Sequence, residues 1–184
     1  MSIITGRGDS GETDLLFGKR IAKTSVRIGA LGAIDEFNSA LGLARAAGGD
    51  PEIIAIIDEL QAKLIGLMGE LGCVPDDVAR YAETFKSSLT MADVDHFQSI
   101  ARDFEKRGVK FTGWARPGAE GSLAKAGLDF ARAAARRAER EVWRLHETGE
   151  SVSDPVRLFF NRVSDLLWIL ARVGNDGTVP ISKK

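Results

Sequence analysis

Cysteine is almost missing from this chain. The single thiol, Cys73, rules out an internal disulfide and gives no support to an oxidising, secreted setting, so the reducing cytoplasm is the expected compartment. Positive charge is not in excess either. Lys plus Arg number 25 against 26 for Asp plus Glu, which excludes a global field that would recruit nucleic acid or an anionic membrane. Any basic site must be local. No apolar run approaches the ~20 residues that span a bilayer, and the opening MSIITGRGDSG has no apolar signal-peptide core. A soluble protein is expected, without membrane or nucleic-acid partners. Repeats and low-complexity tracts are also lacking.

What is present is helical periodicity. At 184 residues and 44% apolar content, the chain suits one globular domain, able to bury a core without disulfides or a structural metal. Apolar residues recur at three- and four-residue intervals in five segments. The first, roughly 25 to 46, carries Ala30, Ile34, Phe37, Leu41 and Ala44. The second is capped by Asp50 with Pro51 at its first position, and its stripe is Ile53, Ile57, Leu60, Leu64, Leu67 and Leu71. A shorter third starts at Thr90, with Asp93 completing a variant capping box, and buries Val94, Phe97, Ala101 and Phe104. The fourth, roughly 122 to 147, is lined largely by alanines, which allow close approach. The last opens at Asp154-Pro155 and carries Phe159, Val163, Leu166 and Leu170. The fold class is all-α, a helical bundle. Residues 1–24, 73–89, 108–121 and the tail after 174 read as irregular, and irregular segments of this length are usually functional.

The first irregular segment, TGRGDSGETDLL from Thr5 to Leu16, supports three readings. Arg7 to Ser10 spell an adhesion tetrapeptide, which matters only outside a cell. Gly6, Gly8 and Gly11 satisfy GxGxxG, but that fingerprint needs a preceding strand and a βαβ unit, and neither pattern is present. The third reading is a polyphosphate loop. Its glycines expose backbone N–H groups, and Thr5, Thr13, Arg7, Lys19 and Lys23 surround them. An ordinary flexible terminus is the plain alternative.

Two other stretches fit a shared anion. In FARAAARRAERE, Arg132, Arg136 and Arg140 fall at i, i+4 and i+8, a spacing at which like charges repel unless solvent or an anion offsets them. A solvated face is the alternative. NRVSDLLWILAR sets Asn161, Arg162 and Asp165 on an otherwise apolar helix, where Arg162 and Asp165 can simply pair. His96, His146 and Cys73 do not make a convincing zinc site.

Taken together, TGRGDSGETDLLFGKRIAK, GAIDEFNSALGLAR, ARAAARRAER and NRVSDLLWILAR, in this order, resemble the ATP:cob(I)alamin adenosyltransferases of the propanediol-utilisation type over nearly the whole chain. The resemblance implies a five-helix bundle with a ferritin-like up-and-down core, an ATP-binding loop over 1–24, a helical bundle over 25–174 and a flexible tail over 175–184. It also implies a homotrimer with ATP sites between subunits. Thr5, Gly6, Arg7, Gly8, Thr13, Asp14 and Lys23 fall on ATP-binding loop positions. Arg136, Arg137, Glu139 and Arg140 match the nucleotide-binding run, and Asn161 an asparagine that contacts the nucleotide. Asp35 and Arg132 resemble an acid and an arginine that pair across the subunit boundary beside the corrinoid.

The implied reaction moves the 5′-deoxyadenosyl group of ATP to the cobalt of cob(I)alamin, giving adenosylcobalamin and triphosphate. Magnesium is expected on the ATP phosphates without a dedicated protein cage. A reductase supplies electrons and an adenosylcobalamin-dependent enzyme receives the product. Two departures stand out. Asp14 replaces a small polar residue and must be turned from the phosphates or bound to magnesium. The run FTGWARPGAEGS is longer than its counterpart, so Phe111, with Trp114 competing, is the aromatic expected under the corrin. That altered segment motivates an alternative: a catalytically weak homologue acting as a nucleotide and corrinoid carrier or sensor.

Overall fold

The computed structural model describes residues 4–109, 114–119, 121–150 and 152–174. Phe111 and the tail 175–184 lie outside the described residues. Six α-helices are present among the described residues: α1 (Val26–Ala46), α2 (Pro51–Leu71), α3 (Val78–Phe85), α4 (Met91–Lys106), α5 (Leu123–Glu147) and α6 (Asp154–Leu170). None is long and apolar enough to cross a membrane.

Local chemistry sets the helix ends. Ser25 caps α1 by accepting the Ile28 N–H, Asp50 caps α2 by accepting the Glu52 N–H, and Ser122 caps α5 by accepting the Lys125 N–H. Thr90 and Asp93 form the reciprocal capping box on α4: Thr90 Oγ1 accepts the Asp93 N–H at 3.3 Å, and Asp93 Oδ2 accepts the Thr90 N–H at 2.8 Å.

Asp93 also holds Lys63 of α2 through its other oxygen, at 2.6 Å. Burial pushes its carboxyl pKa up, but the hydrogen bonds from Lys63 and Thr90 outweigh this and leave it below the ordinary carboxylate range. A depressed folded-state value contributes stability that is present above the unfolded value near ~4 and lost as pH falls through the folded one. Asp93→Ala is expected to cost about 1 kcal/mol at neutral pH. In urea titrations repeated at falling pH the deficit should shrink, because the native carboxylate is then protonated as well.

The five long helices neighbour one another in the cyclic order α1–α2–α4–α6–α5. Arg45 pairs with Asp58 across α1 and α2, and Lys63 with Asp93 across α2 and α4. Phe97 meets Phe159 across α4 and α6 at 5.7 Å between ring centroids. Arg172, just beyond α6, reaches Asp129 of α5 at 2.6 Å, and Arg137 of α5 pairs with Glu36 of α1. A ring of five cannot alternate direction throughout, and α4 and α6 are the neighbours that run parallel. Phe37 and Phe160 meet in the interior, 6.0 Å apart. The alanine face of α5 does bring that helix close to α1: Ala131, Ala134, Ala135 and Ala138 are all buried. At Gly127 a Cβ would sit 2.8 Å from the Ala44 Cα, so the approach there is backbone on backbone.

Two segments expected to be irregular contain structure. Within 1–24, β1 (Glu12–Asp14) pairs antiparallel with β2 (Arg20–Ala22), placing Asp14 opposite Arg20. Their connection turns through left-handed backbone at Phe17 (φ 57°) and Gly18 (φ 76°). Within 73–89, a 3-10 turn at Pro75–Asp77 leads into α3, whose Tyr81 hydroxyl donates to the Gly66 carbonyl at 3.0 Å. The close approach is possible because Gly66 and Gly69 leave room where a Cβ would collide with Ser87 and Tyr81.

Candidate functional site

The loop before β1 is tied by its own charges. Gly6 and Gly11 take left-handed backbone (φ 67° and 83°), which glycine adopts without strain. Tight turns close from Asp9 N–H to the Gly6 carbonyl and from Gly11 N–H to the Gly8 carbonyl. The Lys23 N–H donates to the Gly11 carbonyl at 2.8 Å. Its side chain then crosses Gly8 so closely that a Cβ there would lie 2.8 Å from Lys23 Nζ. The loop's ammonium and its open backbone are thus adjacent.

Asp14 is turned into this structure. Its Oδ1 accepts from Arg7 Nη2 at 3.0 Å and from Arg20 Nη1 at 2.9 Å. Arg20 also donates through Nε to Glu12 at 3.2 Å and through Nη2 to the Arg7 carbonyl at 3.0 Å. The hydrogen bond to Glu12, aided by Asp14, holds the Arg20 pKa above its usual value. Asp14 therefore acts as the counter-ion that ties Arg7 to the hairpin, leaving Arg7 largely exposed. Arg20 was not among the residues singled out from sequence, although it does most of the tying. Thr5 accepts the Arg7 N–H at 3.4 Å, and Thr13 lies half-buried on β1.

On α5 the four nucleotide-run residues separate. Arg136 and Arg140 are exposed, and no carboxylate among the described residues pairs with either; Arg140 donates to the Arg136 carbonyl at 2.9 Å. Arg137 is committed to Glu36 on α1. Glu139 is half-buried. On α6 the Asn161 side-chain oxygen accepts from Arg162 at 3.0 Å, so the alternative Arg162–Asp165 pair is not formed.

Arg132, one turn before Arg136, borders a cavity that Arg136 does not line. The cavity, of about 300 Å³, is also lined by Glu105, Val109, Asp165, Trp168 and Ile169. A second cavity of about 310 Å³ adjoins it, sharing Glu105, Asp165 and Ile169 and adding Arg102 and Arg162. Asp35 stands on the exposed face of α1, and no ion pair joins it to Arg132 within the chain. No hydrogen bond or ion pair links residues 5–23 to Arg136, Arg140 or Asn161 either. The candidate residues thus fall into a loop cluster, an exposed arginine pair and a groove.

The remaining candidates are settled by position. Cys73 is buried, with its thiol pKa pushed up by burial, and donates to the Gly69 carbonyl. His96 pairs with Glu59 at 2.9 Å. Among the described residues no three His, Cys, Asp or Glu side chains gather as a metal site. Trp114 is 92% exposed and so is not an ordinary packing residue.

Fold and site together define the class: the chain belongs to the cobalamin adenosyltransferase family, whose family model matches residues 3–174. A corrinoid adenosyltransferase of Mycobacterium leprae is 35% identical over 178 residues, 95% of this chain and 92% of that protein. The kinship to the PduO type is direct. The corrinoid adenosyltransferase PduO of Citrobacter freundii is 34% identical over 175 residues, which cover 94% of this chain but 49% of the longer relative. A variant of the PduO-type ATP:corrinoid adenosyltransferase from Lactobacillus reuteri, complexed with cobalamin and ATP, superposes with a TM-score of 0.81 at 25% identity, covering 93% of this chain and 92% of that one.

Proposed function

We propose that this protein transfers the 5′-deoxyadenosyl group of ATP to the cobalt of cob(I)alamin. The observation that carries the reading is the presence, on a chain of this family, of a lysine-crossed glycine loop and of two exposed arginines with no carboxylate partner among the described residues. The cobalt(I) electron pair attacks C5′ and forms the Co–C bond. The C5′–O bond breaks, and triphosphate leaves with its electrons. Protein groups donate no nucleophile; they hold the leaving group and bring C5′ to cobalt. Thr5, Gly6, Arg7, Gly8, Thr13 and Lys23 form the loop half of the polyphosphate site, and Arg136, Arg140 and Asn161 the helix half. Asp14 orders Arg7 rather than touching ATP. Magnesium arrives on the phosphates.

The two halves meet between subunits of a homotrimer. Support comes from the outer face of α1 and α5, where Leu43, Leu123 and Phe130 are half or more exposed. Asp35 on that face then finds Arg132 of a neighbour beside the corrinoid. The setting is the cytoplasm, where a reductase delivers electrons and an adenosylcobalamin-dependent enzyme takes the product.

The test mixes purified protein with ATP, magnesium and chemically reduced cobalamin and follows the cob(I) spectrum into light-sensitive adenosylcobalamin. Binding of both substrates without product would replace the enzyme by the carrier or sensor reading. Phe111 closes the lower corrin face and eases reduction of cob(II)alamin. Phe111→Ala should therefore lower the rate from cob(II)alamin by about tenfold more than the rate from preformed cob(I)alamin, some 1.4 kcal/mol of differential stabilisation. Equal losses from both starting states would transfer that role to Trp114 or to no aromatic at all.

A further inference from the structure

Arg27 is the one arginine of α1's first turn, and it is 2% exposed. Burial disfavours its charge, and so does the positive end of its own helix. Two acceptors offset this. Arg27 Nη1 donates to the Leu71 carbonyl at 2.7 Å, at the end of α2, where a cation is favoured. Its Nη2 pairs with Glu150, in the turn between α5 and α6. The adjoining residues repeat the link: Glu70 accepts from the Ser153 hydroxyl at 2.8 Å. A buried ion pair can often be replaced by well-packed apolar side chains without loss of stability, so stability alone does not account for this charge, whereas placing the Leu71 carbonyl requires a donor.

The next carbonyl after Leu71 gives that placement a role. Gly72, the residue that ends α2, accepts the Leu16 N–H at 2.9 Å, the one backbone hydrogen bond from the β1–β2 hairpin to the end of α2 among the described residues. Leu15 is buried beside this tie. We propose that Arg27 is a positioning residue for the polyphosphate loop: by gripping the Leu71 carbonyl against Glu150, it fixes the Gly72 anchor on which the hairpin carrying Arg7, Gly8 and Lys23 hangs. The inference rests on the reading of that loop as the polyphosphate site.

The test compares native protein, Arg27→Met and Arg27→Lys by calorimetric titration with magnesium tripolyphosphate and by steady-state turnover with preformed cob(I)alamin. Arg27→Met should weaken tripolyphosphate binding and raise the KM for ATP by about tenfold, with kcat and the KM for cob(I)alamin changed less than about twofold. Arg27→Lys, which keeps the charge but not the two-pronged grip, should recover to within about threefold of native. A merely structural residue would lower thermal stability and active fraction without separating the two KM values. Native-like tripolyphosphate affinity in Arg27→Met, or equal rises in both KM values, overturns the inference while native turnover leaves the functional reading standing. No turnover and no tripolyphosphate binding by the native protein removes both. Should Arg27→Met fail to fold, Glu150→Gln replaces it, with an expected loss of about threefold in tripolyphosphate affinity alone.

Discussion

Arg136→Ala is expected to lower kcat/KM for ATP by about 10²- to 10³-fold, the loss typical when one donor to a developing negative charge is removed. Charge builds on the departing triphosphate as the C5′–O bond breaks, so a cation there is worth more in the transition state than in the ground state. Arg136 is suited to this because its guanidinium is exposed and no carboxylate in the described chain neutralises it. Arg137 is the internal control. Its guanidinium is held by Glu36, in a pair with both side chains more than 40% exposed, of the kind worth about 0–1 kcal/mol. Arg137→Ala should therefore act through the α1–α5 contact and cost far less in kcat/KM. Stopped-flow measurement of cob(I)alamin consumption at varied ATP separates the two. Comparable losses for both would return Arg137 to the nucleotide run that resemblance assigned it.

That difference between neighbouring arginines marks where sequence stops being legible. Long helices were readable because apolar residues recur at helical intervals for several turns; four of the five are also capped by a side chain, Ser25, Asp50, Thr90 or Ser122, and α6 is marked instead by Pro155 in its first turn. The β1–β2 hairpin was not, because strands of three residues are too short to display alternation and their turn uses a left-handed phenylalanine, Phe17, which sequence rules disfavour. Once the hairpin is missed, the pairing of Asp14 with Arg20 is invisible, and Asp14 looks like an intruder among phosphates rather than the residue that orders Arg7. Helix α3 escaped for the same reason of length: in eight residues it buries one side chain, Tyr81. Arg27 escaped for another. Nothing in the spacing of a lone arginine says that a carbonyl 44 positions away will bury it.

A site divided between chains makes a sharper demand than any single substitution. Lys23→Ala damages the loop half, and Arg136→Ala the helix half. Each is expected to leave activity at or below about 1% of native. If the halves of one site come from different subunits, mixed assemblies contain interfaces that join an unaltered loop from one variant to an unaltered helix from the other. Random assortment of equal amounts makes this about one interface in four, so co-expressed variants should recover roughly a quarter of native activity. Separate assays of the two proteins, combined without subunit exchange, should show no such gain. A site built within one chain could never be repaired this way, because every chain would carry one damaged half. Repair is the result that the proposed site between subunits predicts. Recovery no greater than the mean of the parents would place the whole site in one chain.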